Sequence, residues 1–329
     1  AKLRLYEPQL MRRAATSLLT PKSNAQDTSN AIWALSTLGW YDRDVYDQLL
    51  QLQVVSRPDK VVPQAFSNAF LACAQVNHTG PGLQQLLEAA VATGISDWKE
   101  QDCSNAMYAW ATARADSPAG PATGIWAAYD ELAGLLAAQS AALRGFTALQ
   151  YPQLWTAHVT AQSRGLSGIC LPAAAAFTAA AEKSNGVKVH RTAQVLGSDA
   201  SVAGLAKAAI TCAGVAQIAR AEVTPDKMKV VDVVLRGPGF TRGIAVILYG
   251  QPGWMRHPSG QLSGLTIAAG AQLRSFYDAV IILPRHANAT ASYLTHITQL
   301  VAATVQPLQQ RAAAAGPSEQ QPGLVVNGW

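Results

Sequence analysis

A short pattern that occurs three times at nearly equal spacing constrains the fold of this chain more than any other feature. The copies begin with Ser-Asn-Ala at Ser29, Ser67 and Ser104, which lie 38 and 37 residues apart, and each continues with a mostly apolar stretch. A period of this length is typical of stacked two-helix units, because such a unit buries its apolar face only against its neighbours. The sequence therefore predicts a row of helical hairpins rather than one closed core.

Signals around the three copies predict where the helices begin and where the row ends. An aspartate or a proline, which commonly starts a helix, precedes each serine. A second apolar segment begins 16 residues after each of the first two serines, and a fainter fourth copy spans Pro152–Ala161. We expect a leading helix within residues 1–23 and helical repeats over residues 24–190.

The sequence pattern changes after residue 190, where apolar runs alternate with segments of helical periodicity. Three runs rich in Val, Ile and Leu have the length of buried strands, and three further segments have helical periodicity. This order predicts a small α/β domain over residues 191–305. Residues 306–329 are rich in Gln, Ala and Pro, and we expect a flexible tail there. The expected strands are Val230–Leu235, Ile244–Tyr249 and Ala279–Pro284, and the expected helices are Thr192–Ala213, Ile267–Arg274 and Ala289–Val305.

Charge is distributed unevenly along the chain. Residues 1–182 contain 12 basic and 14 acidic side chains, whereas residues 183–329 contain 13 basic and 6 acidic ones. A polyanion would therefore be attracted to the C-terminal part. The alternative is a solvated basic surface without a partner. The candidate RNA-binding residues are Lys188, Arg191, Lys227, Lys229, Arg236, Arg242 and Arg256.

The sequence lacks the patterns that would indicate a cofactor, a metal or a small-molecule substrate. The four cysteines are far apart and form no Cys-x-x-Cys pair, which excludes the usual zinc spacing. The segment Gly237–Gly243 lacks the Lys-Ser/Thr ending of a phosphate-binding loop and is expected to be a plain connection. No run of 18 apolar residues predicts a membrane span. We expect no cofactor, no metal site, no membrane contact and no small-molecule substrate.

Two kinds of side chain in the repeats are possible RNA contacts. The asparagine after each serine does not vary between copies, as a base-reading position would, so we expect it to form hydrogen bonds between helices. The aromatic rings could stack on bases, but rings at helical spacing usually pack in the core, and we expect them there. The asparagines are Asn30, Asn68 and Asn105, and the rings belong to Trp33, Tyr108, Trp110 and Trp155.

The Ser-Asn-Ala unit and its period resemble the octotricopeptide repeat of green-algal organelle proteins. The C-terminal part resembles a diverged RAP domain, which often closes such chains: an aspartate-bearing strand at Asp232, a strand ending at Gly250, a Gly-x-Thr helix start at Gly264 and a strand ending at Pro284. The resemblance covers about residues 24–305. It implies an α-solenoid of helical hairpins, mainly α overall, followed by a small α/β RAP-like domain of the restriction-endonuclease-like type.

This resemblance raises the question of nuclease activity, because RAP domains are similar to nuclease folds. The chain keeps the family's acidic residue at Asp232, but Ile247 and Tyr249 stand where the family commonly carries Glu and Asp, and the family's helix lysine is missing. Hydrolysis of a phosphodiester with Mg²⁺ needs clustered oxygen ligands and a group that activates water. One carboxylate does not provide these, so we expect no catalytic residues and no enzyme activity.

Proteins of the family bind organellar RNA to stabilise, process or translate it, or are structural components of the mitochondrial ribosome. Three or four repeats give a short reading surface, and the repeat half is slightly acidic, which is unfavourable for following a phosphate backbone. The expected role is a non-catalytic structural subunit of a mitochondrial ribosome that binds rRNA beside other ribonucleoprotein subunits. A stand-alone RNA-maturation or translation factor is second, and a protein–protein scaffold is third.

The expected location is the mitochondrion, with the chloroplast as the alternative. The chain begins at Ala1 rather than Met. We therefore expect a processed or fragmentary start, with any targeting peptide outside this sequence.

Overall fold

Helices dominate the first part of the chain, and a small mixed sheet lies in the last part. The computed structural model describes residues 7–20, 23–55, 61–115, 117, 123–143, 145–172, 174–184, 204, 209, 214–249, 261–284, 290–314 and 324–327. The chain divides into two compact units, which we call the helical unit and the sheet unit. The helical unit comprises residues 1–177 and 251–268, and the sheet unit comprises residues 178–250 and 269–329.

The helices of the first part begin at the signals that the sequence carries. Asn24 and Asp27 each accept a hydrogen bond from the other's backbone N–H, at 2.9 and 3.2 Å, which is the capping-box arrangement of a helix start. Pro63 and Pro81 occupy first helical positions, where the missing N–H costs nothing. The helices are α1 Pro8–Ser17, α2 Ala25–Thr37, α3 Arg43–Val55, α4 Pro63–Gln75, α5 Pro81–Thr93, α6 Glu100–Arg114, α7 Ile125–Ala142, α8 Gln150–Ser163 and α9, residues 174–184.

The helices of the helical unit pack in two rows. In the first row, α2 contacts α4, α4 contacts α6 and α6 contacts α8. In the second row, α3 contacts α5 and α5 contacts α7, while α1 packs against α3. Each first-row helix from α2 to α6 also contacts the second-row helix that follows it in the chain. The predicted alternation of first and second helices is therefore present in the packing.

Corresponding residues of the three sequence copies build the core of these rows. The third residue after each repeat serine (Ile32, Phe70 and Met107) is fully buried, and so is the serine itself. Each second-row helix contributes an apolar stripe at helical spacing, such as Leu83, Leu86 and Leu87 in α5. None of the described helices is long and apolar enough to cross a membrane.

The aromatic residues of the repeats do not all pack as predicted. Trp110 is 1% exposed, which confirms its prediction as a core residue, whereas Trp33 is 46% exposed, so its prediction as a core residue is wrong. The reason is helical geometry: Trp33 follows the buried Ile32 directly, and one residue turns a helix by about 100°, away from the buried stripe. The corresponding Leu71 and Tyr108 are half-buried, and Trp155 is also half-buried.

The sheet unit contains a five-stranded mixed sheet in the order β1-β2-β3-β4-β5. The first three strands pair antiparallel, and β3, β4 and β5 pair parallel. The strands predicted near Val230, Ile244 and Ala279 are confirmed. The helix predicted over Thr192–Ala213 lies outside the described residues, apart from residues 204 and 209. The strands are β1 Gln217–Val223, β2 Val230–Gly237, β3 Phe240–Tyr249, β4 Ala279–Pro284 and β5 Leu324–Asn327, and the later helices are α10 Gly264–Arg274 and α11 Ala291–Ala314.

The ends of the sheet unit differ from the sequence prediction in two places. Strand β1 is not predicted, because Arg220 and Glu222 interrupt its apolar character. A flexible tail was expected from residue 306, but α11 continues to Ala314, and Leu324–Asn327 pairs with β4. Alanine and glutamine favour continuation of the helix, and the apolar Leu-Val-Val run suits a strand beside the buried β4.

One face of the sheet packs against α11. Alternate residues of each central strand point to this face, as the period of two in a strand requires, and all of them are buried. Helix α11 meets them with residues spaced four apart. The contacting residues include Val233, Leu235, Ile244, Val246 and Ile281 of the sheet and Ile297, Val301 and Val305 of α11.

We predict that Trp110→Ala lowers the free energy of unfolding by about 3–5 kcal/mol, because it empties a fully buried site. Trp33→Ala should cost less, about 1 kcal/mol, because nearly half of the Trp33 surface is already exposed. Urea unfolding followed by circular dichroism measures both values. Trp110→Phe is the control for the Trp110 N–H, which donates to Asp130 at 2.8 Å. Equal losses for Trp110→Ala and Trp33→Ala would contradict the assignment of the two rings.

Candidate nucleic-acid interface

Four of the seven candidate RNA-binding residues lie in the described part of the sheet unit. Lys227 lies in the turn between β1 and β2, and Lys229 directly precedes β2. Arg236 lies near the end of β2, and Arg242 lies near the start of β3. The other three, Lys188, Arg191 and Arg256, lie outside the described residues.

Arg236 is bound to a carboxylate that also serves a buried tyrosine. The Arg236 Nη2 donates to both carboxylate oxygens of Glu222, at 2.7 and 2.5 Å. Glu222 Oε1 also accepts the hydroxyl of Tyr277 at 3.2 Å. Burial, together with the negative charge of Glu222, raises the pKa of Tyr277 well above its usual value, so Tyr277 stays a neutral donor. Arg236 is therefore part of a charge network that neutralises its guanidinium locally.

Arg242 is bound in a similar way, on the other side of the turn that joins β2 to β3. Its Nε donates to Asp278 Oδ1 at 3.3 Å, and its Nη1 donates to the carbonyl of Ser275 at 3.1 Å. The second oxygen of Asp278 accepts the backbone N–H groups of Arg242 and Gly243, at 2.7 and 3.0 Å. Asp278 therefore joins the start of β3 to the turn that precedes β4, and Arg242 closes this join.

The two lysines differ in exposure. Lys227 is exposed, has a left-handed backbone (φ +58°) in the hairpin turn, and forms an ion pair with Glu182. Because both partners are exposed, this pair adds little to stability and is weakened by salt. Lys229 is half-buried, and its backbone N–H donates to the hydroxyl of Thr224 at 3.0 Å.

Sequence reasoning missed Arg220, an exposed residue of the edge strand β1. Within the described part of the chain, its guanidinium forms neither an ion pair nor a hydrogen bond. The neighbouring Ala221 has a left-handed backbone (φ +51°) and packs in the cluster under α11, while Glu222 reaches Arg236 and Tyr277. Arg220 could have been found from the sequence only if β1 had been predicted as a strand, and the charged residues of β1 obscure its strand pattern.

The repeat asparagines show that one sequence position can have several environments. Asn105 is buried and accepts hydrogen bonds from Gln101 of its own helix, at 3.0 Å, and from Gln153 of α8, at 3.3 Å, so the predicted bond between helices is confirmed there. Asn30 is exposed and accepts only from Gln26 of its own helix among the described residues. The half-buried Asn68 has no side-chain hydrogen bond within the described ranges. The prediction is wrong for Asn30 and Asn68.

Asp232, the acidic residue that the nuclease comparison singled out, has a structural contact. Its Oδ2 accepts the backbone N–H of Leu248 at 2.9 Å, just beyond the last register pair of β2 and β3, Val233 with Val246. The carboxylate thus replaces a partner strand at the end of the ladder. Among the described residues, no group of three His, Cys, Asp or Glu side chains is placed to hold a metal ion.

Two buried cysteines of the helical unit are poor nucleophiles. Burial, with the nearby Asp102 carboxylate, raises the pKa of the Cys103 thiol to about 12. Burial also raises the pKa of the Cys73 thiol far above its usual value, and Asp47 adds to the shift. Since the thiolate is the reactive form, neither residue is activated for catalysis.

Comparison with protein-family models and with curated proteins found no match to this chain.

We predict that Asp232→Ala lowers the free energy of unfolding by about 1–3 kcal/mol, because the Leu248 N–H loses its acceptor. Asp232→Asn should cost less, since the amide oxygen still accepts. Guanidinium unfolding of the purified chain measures both. Asp97→Ala, which removes an exposed aspartate, is the matched control and should change stability by less than about 0.5 kcal/mol. An Asp232→Ala variant that unfolds like the parent would show that the contact contributes nothing.

Proposed function

We propose that this chain is a non-catalytic RNA-associated protein of an organelle, held as a structural subunit of a mitochondrial ribosome. In this proposal the helical unit is a diverged α-solenoid of octotricopeptide type, and the sheet unit is a diverged RAP-like domain. The two rows of helices and their equivalent buried positions Ile32, Phe70 and Met107 support the first assignment. The strand–strand–helix–strand order from β2 to β4 supports the second.

The observation that carries the choice of a subunit is the pairing of the candidate cations. Arg236 and Arg242 each form an ion pair with a partly buried carboxylate, whereas the ion pair of Lys227 is exposed on both sides and competes little with a phosphate. Binding to a phosphate backbone gains its affinity from free cations that displace counterions, and a guanidinium that already faces a carboxylate gains less. The sheet unit therefore suits a few phosphate contacts rather than tight autonomous binding. Neighbouring subunits of a ribonucleoprotein would supply the remaining affinity.

A stand-alone RNA-maturation factor is the second candidate, and the exposure of Trp33 favours it. Trp33, Leu71 and Tyr108 occupy the same position in three successive first-row helices. Trp33 is exposed, whereas Leu71 and Tyr108 are half-buried. Aromatic rings on a surface stack on unpaired bases without sequence preference. Two of these three residues, Trp33 and Tyr108, carry rings, so such an edge would hold a short RNA segment.

Sedimentation of the native protein from its organelle separates the two candidates. If it is a ribosomal subunit, it should co-sediment with one ribosomal subunit in a sucrose gradient, and it should stay there after Mg²⁺ removal separates the two subunits. A position near the top of the gradient, with or without bound RNA, would overturn the ribosomal assignment. Comparing mitochondrial and chloroplast fractions tests the location.

We predict that the exposed cations of the sheet unit contribute more to RNA binding than an exposed cation of the repeats. Arg220→Gln and Lys227→Gln should each weaken RNA binding and reduce the slope of log affinity against log salt by about one unit. Arg43→Gln is the matched control, since Arg43 is an exposed arginine of α3. Filter binding of an rRNA fragment at several salt concentrations measures the slopes.

Neutral substitutions are required for the paired arginines. Arg236→Glu or Arg242→Glu would place a second carboxylate beside Glu222 or Asp278 and destabilise the sheet unit. Arg236→Gln and Arg242→Gln avoid this repulsion, and we expect smaller losses of RNA affinity than for Arg220→Gln. Equal losses from Arg43→Gln and Arg220→Gln would move the RNA contact to the helical unit.

We predict that the purified chain cleaves neither RNA nor DNA in the presence of Mg²⁺ or Mn²⁺. The carboxylate of Asp232 already accepts the Leu248 N–H. In addition, Ile247 and Tyr249 stand at the positions where a nuclease of this type would need acidic residues. Release of labelled nucleotides measures the activity. Divalent-dependent cleavage that disappears in Asp232→Asn would contradict the non-catalytic assignment.

A further inference from the structure

A buried histidine ties the segment that follows α8 back to this helix. His158 of α8 is 6% exposed, and its Nδ1 accepts the backbone N–H of Leu171 at 2.9 Å. Its ring stacks on that of Trp155, with the ring centroids 5.4 Å apart and the planes inclined by 22°. Because Nδ1 accepts a hydrogen bond, the ring proton lies on Nε2 and the imidazole is neutral.

Few other hydrogen bonds hold this segment in place. We call residues 164–172, between α8 and α9, the α8–α9 connection. At its start, the Leu166 N–H donates to the Ala161 carbonyl of α8 at 2.9 Å. From residue 167 to residue 172 the other backbone bonds stay within the connection, so among the described residues only the bond to His158 joins this part to a helix.

The charged groups on the elements around α8 are bonded elsewhere or exposed. Arg114 of α6 pairs with Asp130 of α7 at 2.8 Å. Arg164 donates to two backbone carbonyls between α6 and α7. Burial lowers the pKa of His158, and no carboxylate within the described ranges opposes this effect. The remaining charged groups are Glu100 and Asp102, which accept from Gly145 and Ser67, and the exposed Glu131, Glu182 and Lys183, and the uncharged titratable groups are Tyr108, Tyr151 and Cys170.

A second buried histidine of the helical unit has a different environment. His78 Nε2 lies 3.3 Å from Asp47 Oδ1, and its Nδ1 lies 3.0 Å from the hydroxyl oxygen of Tyr41. A proton gained by His78 therefore faces a negative charge. A proton gained by His158 is placed on Nδ1, where it meets the N–H of Leu171 instead of a lone pair. Acid consequently opposes the contact of His158 in a way that it does not oppose that of His78.

We propose that His158 is a pH-sensitive switch that holds the α8–α9 connection at neutral pH and releases it in acid. Protonation removes the acceptor of the Leu171 N–H and leaves a buried charge that is stabilised by contact with water. The side chains of Ile169 and Leu171 are buried in the helical core and resist release. Acid therefore increases local opening of the connection and does not unfold the helical unit. The inference does not depend on RNA binding.

The hydrogen bond of His158 is complete at neutral pH and weakens in acid. Because burial disfavours the charged form, the folded chain binds this proton less readily than the opened chain does. The stability that the neutral ring contributes is therefore fully present above the ordinary histidine pKa of about 6.5. It is lost as the pH falls below that value toward the lowered pKa of His158.

Hydrogen exchange of the full chain, followed by mass spectrometry, tests the switch. The protection of the Leu171 amide, expressed relative to the intrinsic exchange rate at each pH, should fall at least about threefold from about pH 7.5 to about pH 5. Peptides from α5, which packs between α3 and α7, are the internal reference and should show no such fall. Constant protection of Leu171, or an equal fall in α5, would overturn a local switch.

His158→Asn makes the test specific to this side chain. The asparagine amide keeps an acceptor oxygen near the position of Nδ1 and does not titrate, so the protection of Leu171 should stay within about twofold between the two pH values. His296→Asn is the matched control, since His296 is a half-buried histidine of α11, and it should keep the pH dependence of the parent chain. A His158→Asn variant with the parental fall in protection would show that another group is responsible.

Cys170 provides a second measurement that requires no substitution. It is a free, half-buried cysteine directly before Leu171. Its rate of alkylation by a maleimide, divided by the rate for the unfolded chain at the same pH, should rise at least about threefold from about pH 7.5 to about pH 5. The buried Cys73 and Cys103 should show no such rise, and peptide mapping by mass spectrometry assigns each thiol. Equal normalised rates for Cys170 at the two pH values would overturn the proposal.

Discussion

Close contact between successive first-row helices is the interaction on which the helical unit depends. Ala65, Ala69 and Ala72 of α4 have no exposed surface, and α4 contacts both α2 and α6 of its row. A larger side chain at these positions would separate the helices and would cost about 1–3 kcal/mol by overpacking. The separation of the first-row helices then sets the spacing of the second row, because each hairpin joins one helix of each row. Small residues therefore determine the geometry, and the larger apolar residues fill the space that remains.

Carboxylates of the sheet unit bind its arginines, and this pairing limits the positive charge that the unit can offer to a ligand. Glu222 serves both Arg236 and Tyr277, and Asp278 serves both Arg242 and a backbone turn. Removing either arginine from its carboxylate would leave a partly buried charge without its partner, which is costly. The positive balance of the sequence after residue 182 thus overstates the positive potential of the described surface. Arg220 and Lys227 are exposed, as are Lys183 and Arg311 in the same unit, so these side chains rather than Arg236 and Arg242 are accessible to phosphates.

The features that could be predicted from the sequence are those that depend on local pattern. The repeat period predicted the alternation of first-row and second-row helices. The continuous apolar runs predicted β2, β3 and β4, because a strand that is buried on both faces consists almost entirely of apolar residues. The features that could not be predicted depend on neighbours distant in sequence. The exposure of Trp33 depends on where the neighbouring helices lie, and β1 is a strand only because β2 pairs with it.

The candidate site shows the same division. The sequence identified a basic region, but it could not show that Glu222 and Asp278, which are 14 and 36 residues away from Arg236 and Arg242, neutralise them. It also placed all three repeat asparagines in one class, whereas Asn105 alone among them bonds to another helix in the described part of the chain. Its partner is Gln153 of α8, so the side chain that the following helix supplies decides what this copy of the repeat contacts.

The two units offer different chemistry to a ligand. Helix α2 exposes Asp27, Ala34 and the ring of Trp33 and carries no Lys or Arg side chain, so it presents no cation to a phosphate backbone. The exposed Arg220 and Lys227 belong to the sheet unit. Contact with phosphates would therefore depend on the sheet unit, whereas an aromatic contact with an unpaired base would depend on Trp33. Because the two contacts involve different units, substitutions in one unit should leave the contribution of the other unchanged.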